Sequence, residues 1–187
     1  MRTLTCIAIA VLLSACRQDM HDQPKYQPLQ RSAFFPDGMA SRPPVDGTIA
    51  RGQLVLDVTR ATGKRGKDYA SNPLPRTIDV FARGRERFDI YCAPCHDRAG
   101  TGNGMIVERG YKQPPSFHED RLRQVADGYL FETITQGFGV MPSYAQQIPV
   151  DDRWAITAYI RAMQLSQSAT IADVPEAERA TLAGGVP

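Results

Sequence analysis

Apolar side chains at intervals of three and four residues predict a helix that begins near Ile78. Phe81, Arg85, Phe88 and Cys92 continue this spacing, so a helix of about ten residues is expected to end near Cys92. Gly84 lies inside it, where a glycine costs roughly 1 kcal/mol relative to alanine. We therefore expect Gly84 to allow a second backbone to approach closely.

Three further helices are predicted downstream. Two are short and cover residues 118–126 and 128–136, the second with its apolar side chains turned inward. A longer amphipathic helix covers residues 150–166 and begins with carboxylates, which the positive end of a helix dipole favours. The pattern thus predicts an all-α domain over about residues 78–167, followed by a mobile tail over residues 168–187.

The stretch before this domain has no sustained helical period. Residues 17–80 contain seven prolines, and proline fixes a backbone dihedral and removes a hydrogen-bond donor. We therefore predict an extended N-terminal arm over residues 16–77 that lies against another surface. Within it, residues 54–58 are expected to form a short strand only if a partner is present.

Composition limits the classes of function. A chain of 187 residues makes one domain with extensions and excludes a large multidomain enzyme. The net charge of +2 gives no general field that would attract nucleic acid or an anionic membrane. Residues 51–87 hold nine basic and four acidic side chains, which is consistent either with a solvated linker or with a docking strip for an acidic partner or lipid headgroups.

The N-terminal segment predicts export. Arg2 is followed by uncharged, mostly apolar residues up to Ala15, which is typical of a signal peptide over residues 1–15 and too short to be a retained membrane span. Leu13-Ser14-Ala15-Cys16 resembles the lipobox of bacterial lipoproteins, which implies lipidation of Cys16. Acyl chains there would hold the protein on the periplasmic face of the bacterial inner membrane. The alternative is an ordinary cleavage site followed by an incidental cysteine.

Cys92-Ala93-Pro94-Cys95-His96 is the CxxCH signature of haem c attachment. Each thiol adds to one vinyl group of the porphyrin, and the next residue supplies an imidazole to the iron. The motif therefore predicts one covalent haem c, bound by Cys92 and Cys95, with His96 as an axial ligand. A thioredoxin-like motif would need a βαβ pattern, and a zinc site would need two more ligands.

A second axial ligand decides between electron transfer and ligand chemistry at the iron. Met141 is the strongest candidate, because it lies before a proline in an irregular segment between two helices, 45 residues after His96. Met105 is the main competitor, since it is also expected in a loop. Met163 is expected in the core and His118 at a helix start. The other candidates in the mature chain are Met20, His21 and Met39.

These features in order resemble class I cytochromes c over about residues 78–167. The resemblance is carried by the first helix, the CxxCH motif, Met141-Pro142 and a last helix with Trp154 and Tyr159. It implies that the first and last helices cross beside the haem, with Gly84 and Phe88 against Tyr159. The loop proline that commonly steadies the axial imidazole has two candidates here, Pro114 and Pro115.

Further motifs extend the resemblance to nearly the whole mature chain. The lipobox, residues 20–26, 34–38, 42–44 and 47–52, and residues 137–144 look like the mono-haem cytochrome c subunit of alternative complex III, a bacterial quinol:electron-acceptor oxidoreductase. This resemblance implies an arm that wraps neighbouring subunits, among them a multi-haem cytochrome c and integral membrane proteins. Electrons would pass to a terminal oxidase or a soluble carrier, and this chain itself would perform no bond chemistry.

Two other functions remain open from the sequence. A free-standing lipoprotein cytochrome could shuttle electrons at the membrane surface, although the long arm would then have no role. A haem sensor or peroxidase would need an open iron site and hence the loss of Met141 ligation. The sequence shows no convincing distal histidine and acid pair and no second haem motif for that alternative.

Overall fold

The computed structural model describes Met20 and residues 23–45, 47–52 and 54–183. The chain divides into two units, Met1–Ile49 and Ala50–Pro187. The predicted signal peptide and its lipidation residue, Cys16, lie outside the described residues, as does His21. Within the described ranges, no helix combines the length and the apolar character needed to cross a bilayer.

The first unit contains a tight turn where an extended arm was predicted. An antiparallel bridge joins Arg31 to Met39, and the Ser32 amide donates to the carbonyl of Gly38 over 2.9 Å. Ser32 is only 1% exposed, and its hydroxyl donates to Tyr26 Oη over 3.2 Å. Gly38 has a φ of +69°, a conformation that glycine adopts without steric cost, and this lets the backbone reverse.

The second unit is mostly helical, as predicted. Its regular elements, in chain order, are α1 (Val58–Thr62), β1 (Lys64–Arg65), β2 (Asp68–Tyr69), α2 (Ile78–Tyr91), α3 (Ala93–His96), α4 (Met105–Glu108), α5 (Asp120–Gln124), α6 (Asp127–Gln136), α7 (Val150–Ser168), a 3₁₀ helix (Ile171–Asp173) and α8 (Glu176–Ala183). The two short strands form an antiparallel hairpin that pairs Lys64 with Tyr69. Helices α2, α6 and α7 supply most of the buried apolar side chains.

Helices α2 and α7 cross at Gly84. A Cβ placed on this residue would lie 2.0 Å from the carbonyl oxygen of Ala155, so no larger side chain fits without moving a helix. One turn further along, the fully buried ring of Phe88 lies 5.4 Å from that of Tyr159, centroid to centroid. The close approach explains why α2 contains a glycine despite its helix-breaking tendency.

Residues 57–77, which we had placed in the extended arm, belong to this helical unit. Gly128 at the start of α6 packs so closely that its Cβ would lie 2.1 Å from the carbonyl oxygen of Gly63. The Gly128 amide donates to the carbonyl of Ala70 over 2.8 Å. The indole of Trp154 donates to the carbonyl of Arg60 over the same distance. These contacts reach far along the chain, which is why local composition does not reveal them.

Residues 54–58 were expected to form a strand only with a partner, and no strand forms there in the single chain. Residues 54–57 have no regular structure, and Val58 begins α1, whose first turn is capped by the Asp57 carboxylate. An N-cap of this kind satisfies a backbone amide that would otherwise lack a partner at the helix start. Of the five residues, the capped helix therefore includes Val58 alone.

Much of the basic character of residues 51–87 is neutralised inside the unit. Arg60 pairs with Asp151, and Lys64 pairs with Glu132, over 2.7 and 2.5 Å. Arg83 makes two hydrogen bonds of 2.8 Å to the buried carboxylate of Asp152. The carboxylates come from α6 and α7, so a stretch that looks strongly basic in the sequence is partly balanced by tertiary contacts.

The remaining differences concern short elements. The helix predicted over residues 118–126 is confined to Asp120–Gln124. The tail contains a 3₁₀ helix and α8 where only mobile chain was expected. A reciprocal capping box between Thr170 and Asp173 starts this ordering, since each residue bonds to the backbone or side chain of the other.

Candidate functional site

A cavity of about 450 Å³ opens between α2, α3, α6 and the loops that follow α4 and α6. Its volume is in the range of pockets that bind drug-sized ligands and cofactors. All four residues predicted to bind haem line it: Cys92, Cys95, His96 and Met141. The structure therefore brings together in one place side chains that are up to 49 positions apart in the sequence.

The two thiols and the imidazole are placed by one helical turn. Helix α2 ends at Tyr91, and the Cys92 amide still donates to the Phe88 carbonyl over 2.8 Å. The amides of Cys95 and His96 then donate to the Cys92 carbonyl over 3.1 and 2.9 Å and close α3. Because this geometry is local, the five residues of the motif present their reactive side chains to the same cavity.

Burial keeps two of these side chains uncharged. It raises the pKa of the Cys92 thiol to about 12, with a smaller contribution from Cys95. Burial also lowers the pKa of His96 to about 4, although Asp97 opposes the shift. At neutral pH the imidazole is therefore in the unprotonated form that can ligate a metal.

The His96 ring stacks on Phe117. Their centroids lie 4.5 Å apart, and the planes differ by 19°. Nδ1 of His96 is buried and has no hydrogen-bond partner among the described residues. Pro114 and Pro115, the candidates for steadying this ring, both line the cavity, but neither accepts a hydrogen bond from it.

Met141 is presented by a loop that is tied at both ends. Phe138 and Met141 exchange two backbone hydrogen bonds of 3.0 Å. The Tyr144 amide donates to the carbonyl of Ile134 over 3.0 Å, and the Ser143 hydroxyl donates to the carbonyl of Thr135 over 2.6 Å. These bonds anchor the loop to the last turns of α6 and leave the Met141 thioether at the cavity wall.

Among the described residues, none of the competing sulfur and imidazole groups lines the cavity. Met105 begins α4, is 54% exposed and does not line the cavity. Met163 is buried in the core beside Gly100, as expected. Nε2 of His118 lies 2.7 Å from the carbonyl oxygen of Ala99. Met20 and Met39, which are exposed, belong to the first unit.

Several residues of the cavity were not identified from the sequence. Lys112 and Arg121 bring positive charge to a lining that is otherwise largely apolar and aromatic. Four tyrosines, Tyr91, Tyr111, Tyr129 and Tyr144, also line it. The only feature of the sequence near Phe117 is the Pro114-Pro115 pair two residues before it, which marks a turn. Nothing in the sequence predicts that Phe117 stacks on His96.

The residues present fit a covalently bound haem. Two thiols stand next to a neutral imidazole, a thioether lines the same cavity, and apolar walls suit the porphyrin ring. The cations Lys112 and Arg121 suit the propionate carboxylates. Among the described residues, Nδ1 of His96 lacks the acceptor that usually orients a metal-binding imidazole, so the orientation of this ring depends on other contacts.

Comparisons with known proteins agree with this chemistry. Residues 79–160 match the family described as cytochrome C oxidase, cbb3-type, subunit III. No curated protein matches the sequence. A cytochrome c domain implies a covalently bound haem c.

Similar solved structures include two bacterial proteins. Cytochrome cL from the marine methylotrophic bacterium Methylophaga aminisulfidivorans is 18% identical, with a TM-score of 0.46 over 76% of this chain and 87% of that one. A chain of the Kuenenia stuttgartiensis reducing HAO-like protein complex is 20% identical, with a TM-score of 0.43 over 56% of this chain and 54% of that one. The chain thus spans about half the length of the Kuenenia chain. The match over residues 79–160 shows that this chain carries a cytochrome c domain similar to subunit III of cbb3-type oxidases.

Proposed function

We propose that this protein transfers electrons through one haem c, bound covalently by Cys92 and Cys95 and ligated by His96 and Met141. One observation carries the proposal: the four side chains line a single cavity inside a cytochrome c domain. A haem in this cavity supplies a one-electron ferric to ferrous couple. The protein residues have a different task, which is to hold the ligand set in nearly the same geometry in both oxidation states.

The two axial side chains set the character of the couple. An unprotonated imidazole and a thioether are both neutral, and a thioether favours the ferrous state and raises the reduction potential. With haem bound, His96 and Met141 would both hold the iron and would leave no open position for a small ligand. This arrangement supports electron transfer over a peroxidase or a gas sensor.

At the level of the assembly, we propose a lipid-anchored subunit of a quinol-oxidising respiratory complex of the alternative complex III type. The anchor would be Cys16, on the periplasmic face of the bacterial inner membrane. Support comes from the sequence motifs of the N-terminal arm and from the first unit, whose side chains include the highly exposed Leu29 and Phe34. Exposed apolar side chains of this kind suit contact with neighbouring subunits such as a multi-haem cytochrome c.

A free-standing membrane-anchored cytochrome remains the second candidate, and one observation favours it. Residues 57–72 pack against α6 and α7 of the same chain, so this part of the predicted arm needs no partner subunit. A partner subunit would then have to explain only the described part of the predicted arm that precedes Asp57.

The experiment that tests both levels uses the untagged protein from native membranes. Mass spectrometry of the mature chain should show one haem and acyl groups on Cys16, and mild detergent should release it together with a multi-haem cytochrome and integral membrane proteins. A lipidated, haem-bearing monomer without partners would agree with electron transfer by a cytochrome c. It would contradict the assignment to a respiratory complex. A chain without covalent haem would overturn the whole function.

A further inference from the structure

Asp97 has a backbone conformation that residues with a side chain rarely adopt. It follows His96 directly, with φ +55° and ψ 172°. This region of φ and ψ is used almost only by glycine, and other residues persist there when the surrounding structure holds them in place. A strained residue next to a proposed axial ligand calls for a reason.

The reason lies in the hydrogen bonds that the carboxylate accepts. One oxygen accepts from the Ala99 amide over 2.5 Å. The other accepts from the amides of Thr101 and Asn103 over 2.9 and 3.1 Å, and from the Thr101 hydroxyl. Four donors within the next six residues thus converge on one side chain. A glycine would relieve the backbone strain but could not close this loop.

The loop that Asp97 closes also contacts the His96 side of the cavity. The Gly100 carbonyl accepts a hydrogen bond of 2.9 Å from the Phe117 amide. Gly100 has a φ of +75°, and a Cβ placed on it would lie 3.0 Å from Cδ2 of Phe117. The position of the Phe117 ring and the path of the loop are therefore coupled.

Two more hydrogen bonds connect the loop to the haem-binding motif. The amide of Gly102 donates to the carbonyl of His96 over 3.0 Å, and that of Gly104 donates to the carbonyl of Cys95 over 3.1 Å. The His96 imidazole has no hydrogen bond at its buried Nδ1 within the described part of the chain. Its orientation thus depends on its backbone and on the Phe117 ring stacked 4.5 Å away.

The geometry points to Asp97 as a positioning residue that sets the plane of the His96 imidazole, acting through the Gly100 carbonyl and Phe117. This inference rests on the proposed function, in which His96 is an axial ligand. Groups that orient a metal-binding histidine usually bond to its free nitrogen. Here the orientation of the imidazole comes from the stacked Phe117 ring. The Asp97 carboxylate acts on that ring through the loop that it closes.

The test compares Asp97→Gly, which removes the carboxylate and suits the backbone, with Asp97→Asn, which keeps one acceptor oxygen. Asp79→Gly, at an exposed position in the first turn of α2, is the matched control for a general loss of stability. All variants are made in the full, haem-loaded chain. The readouts are the ferric electron paramagnetic resonance spectrum, the reduction potential, and hydrogen exchange of the amides in residues 97–104.

For Asp97→Gly we expect about tenfold faster exchange of the Ala99, Thr101 and Asn103 amides. We also expect shifted g values in the ferric spectrum and a change in potential of up to about 59 mV, which is a tenfold change in the one-electron equilibrium constant. Asp97→Asn should fall between this variant and the wild type. Asp79→Gly should leave both the spectrum and the loop exchange unchanged.

Phe117→Leu keeps the inference testable even if Asp97→Gly does not fold. It removes the stack and leaves the Asp97 hydrogen bonds, so the ferric spectrum should shift while loop exchange stays slow. The inference is overturned if either variant folds with the wild-type spectrum and potential. A wild-type protein without a histidine and methionine ligand set would instead overturn the proposed function.

Discussion

The haem-binding motif and the Met141 loop line the same cavity but are held there in different ways. Cys92, Cys95 and His96 lie within five consecutive residues, and backbone hydrogen bonds inside a single helical turn place them. Met141 follows 45 residues later, and its loop depends on bonds from Tyr144 and Ser143 to the end of α6. One side of the site is thus built by local structure and the other by tertiary contacts.

This difference predicts which contact with the haem is lost first when the fold is destabilised. Contacts between distant segments open with a lower free-energy cost than the interior of a helix, particularly at exposed loops. Disturbing the packing of the second unit should therefore weaken Met141 ligation first. The thiols should remain attached, because a covalent bond and a local turn do not depend on that packing.

The largest effect is expected at the thiols. Replacing both Cys92 and Cys95 by alanine removes both thiols that line the cavity. The described part of the chain has no other free cysteine. The denatured variant should lose nearly all of its covalently bound haem, measured as haem absorbance that stays with the chain on a denaturing gel. Cys92→Ser alone is the matched variant, because it leaves one thiol available. Haem that stays attached to the double variant would contradict the assignment.

Met141→His should break the other side of the site. We expect loss of the thioether-to-iron absorption near the red end of the ferric spectrum. The reduction potential should fall by about 100 mV or more, since axial ligands set haem potentials over a range of about 0.8 V. Met105→Leu is the control and should change neither quantity. An unchanged ferric spectrum in Met141→His would reassign the ligand, most directly to Met105.

Gly84→Val tests whether a change in helix packing affects the Met141 loop more than the CxxCH motif. Its side chain would meet the Ala155 carbonyl, and overpacking of this kind typically costs about 1–3 kcal/mol in the free energy of unfolding. Denaturant unfolding should show this loss, and the reduced variant should bind carbon monoxide while its haem stays covalent. Arg85→Ala, at an exposed neighbouring position, should change the free energy of unfolding by less than about 0.5 kcal/mol. Equal stability of the two variants would contradict the crossing at Gly84.

Ser143→Ala addresses the loop directly. It removes the hydrogen bond to the Thr135 carbonyl, which is worth about 0.5–1.5 kcal/mol. External imidazole should then bind the ferric protein up to about tenfold more tightly, because Met141 is displaced more easily. Ser166→Ala removes a similar bond, from a hydroxyl to the Met163 carbonyl, and should leave imidazole binding unchanged. The same affinity in both variants would show that this bond does not hold the loop.

The smallest expected effect is on the pH dependence of stability, through contacts of the segment that contains α1 and the hairpin. Hydrogen bonds from Lys64 and then Tyr69 hold the pKa of Glu132 below its ordinary value, although burial opposes this. The carboxylate therefore contributes stability above its unfolded pKa, and this contribution is lost as the pH falls through the folded pKa. Glu132→Gln should lower the free energy of unfolding by less than about 1 kcal/mol at neutral pH and flatten its decline in acid. Glu119→Gln, which is exposed, should keep the wild-type pH profile.

The sequence predicted the helical unit more completely than its edges. Helix α2, its glycine and the long helix α7 follow from apolar spacing, and the structure contains them. Residues 57–77 were assigned to the arm because the stretch over residues 17–80 contains seven prolines and has no sustained helical period. Their place in the folded unit depends on partners such as Glu132 and Trp154, which lie more than 60 positions away. No local pattern encodes contacts of that range.

The cavity shows the same division. The CxxCH motif predicted its cofactor because the spacing of two thiols and an imidazole follows from covalent chemistry and one helical turn. The sequence favoured Met141 over Met105, and the structure places Met141 at the cavity. Both were expected in loops, but Met105 begins helix α4. The Phe117 stack and the loop closed by Asp97 were not expected at all. The stack depends on which segments meet in the folded chain. The Asp97 loop is local, but it needs a positive φ that an aspartate rarely adopts, so the sequence does not indicate it.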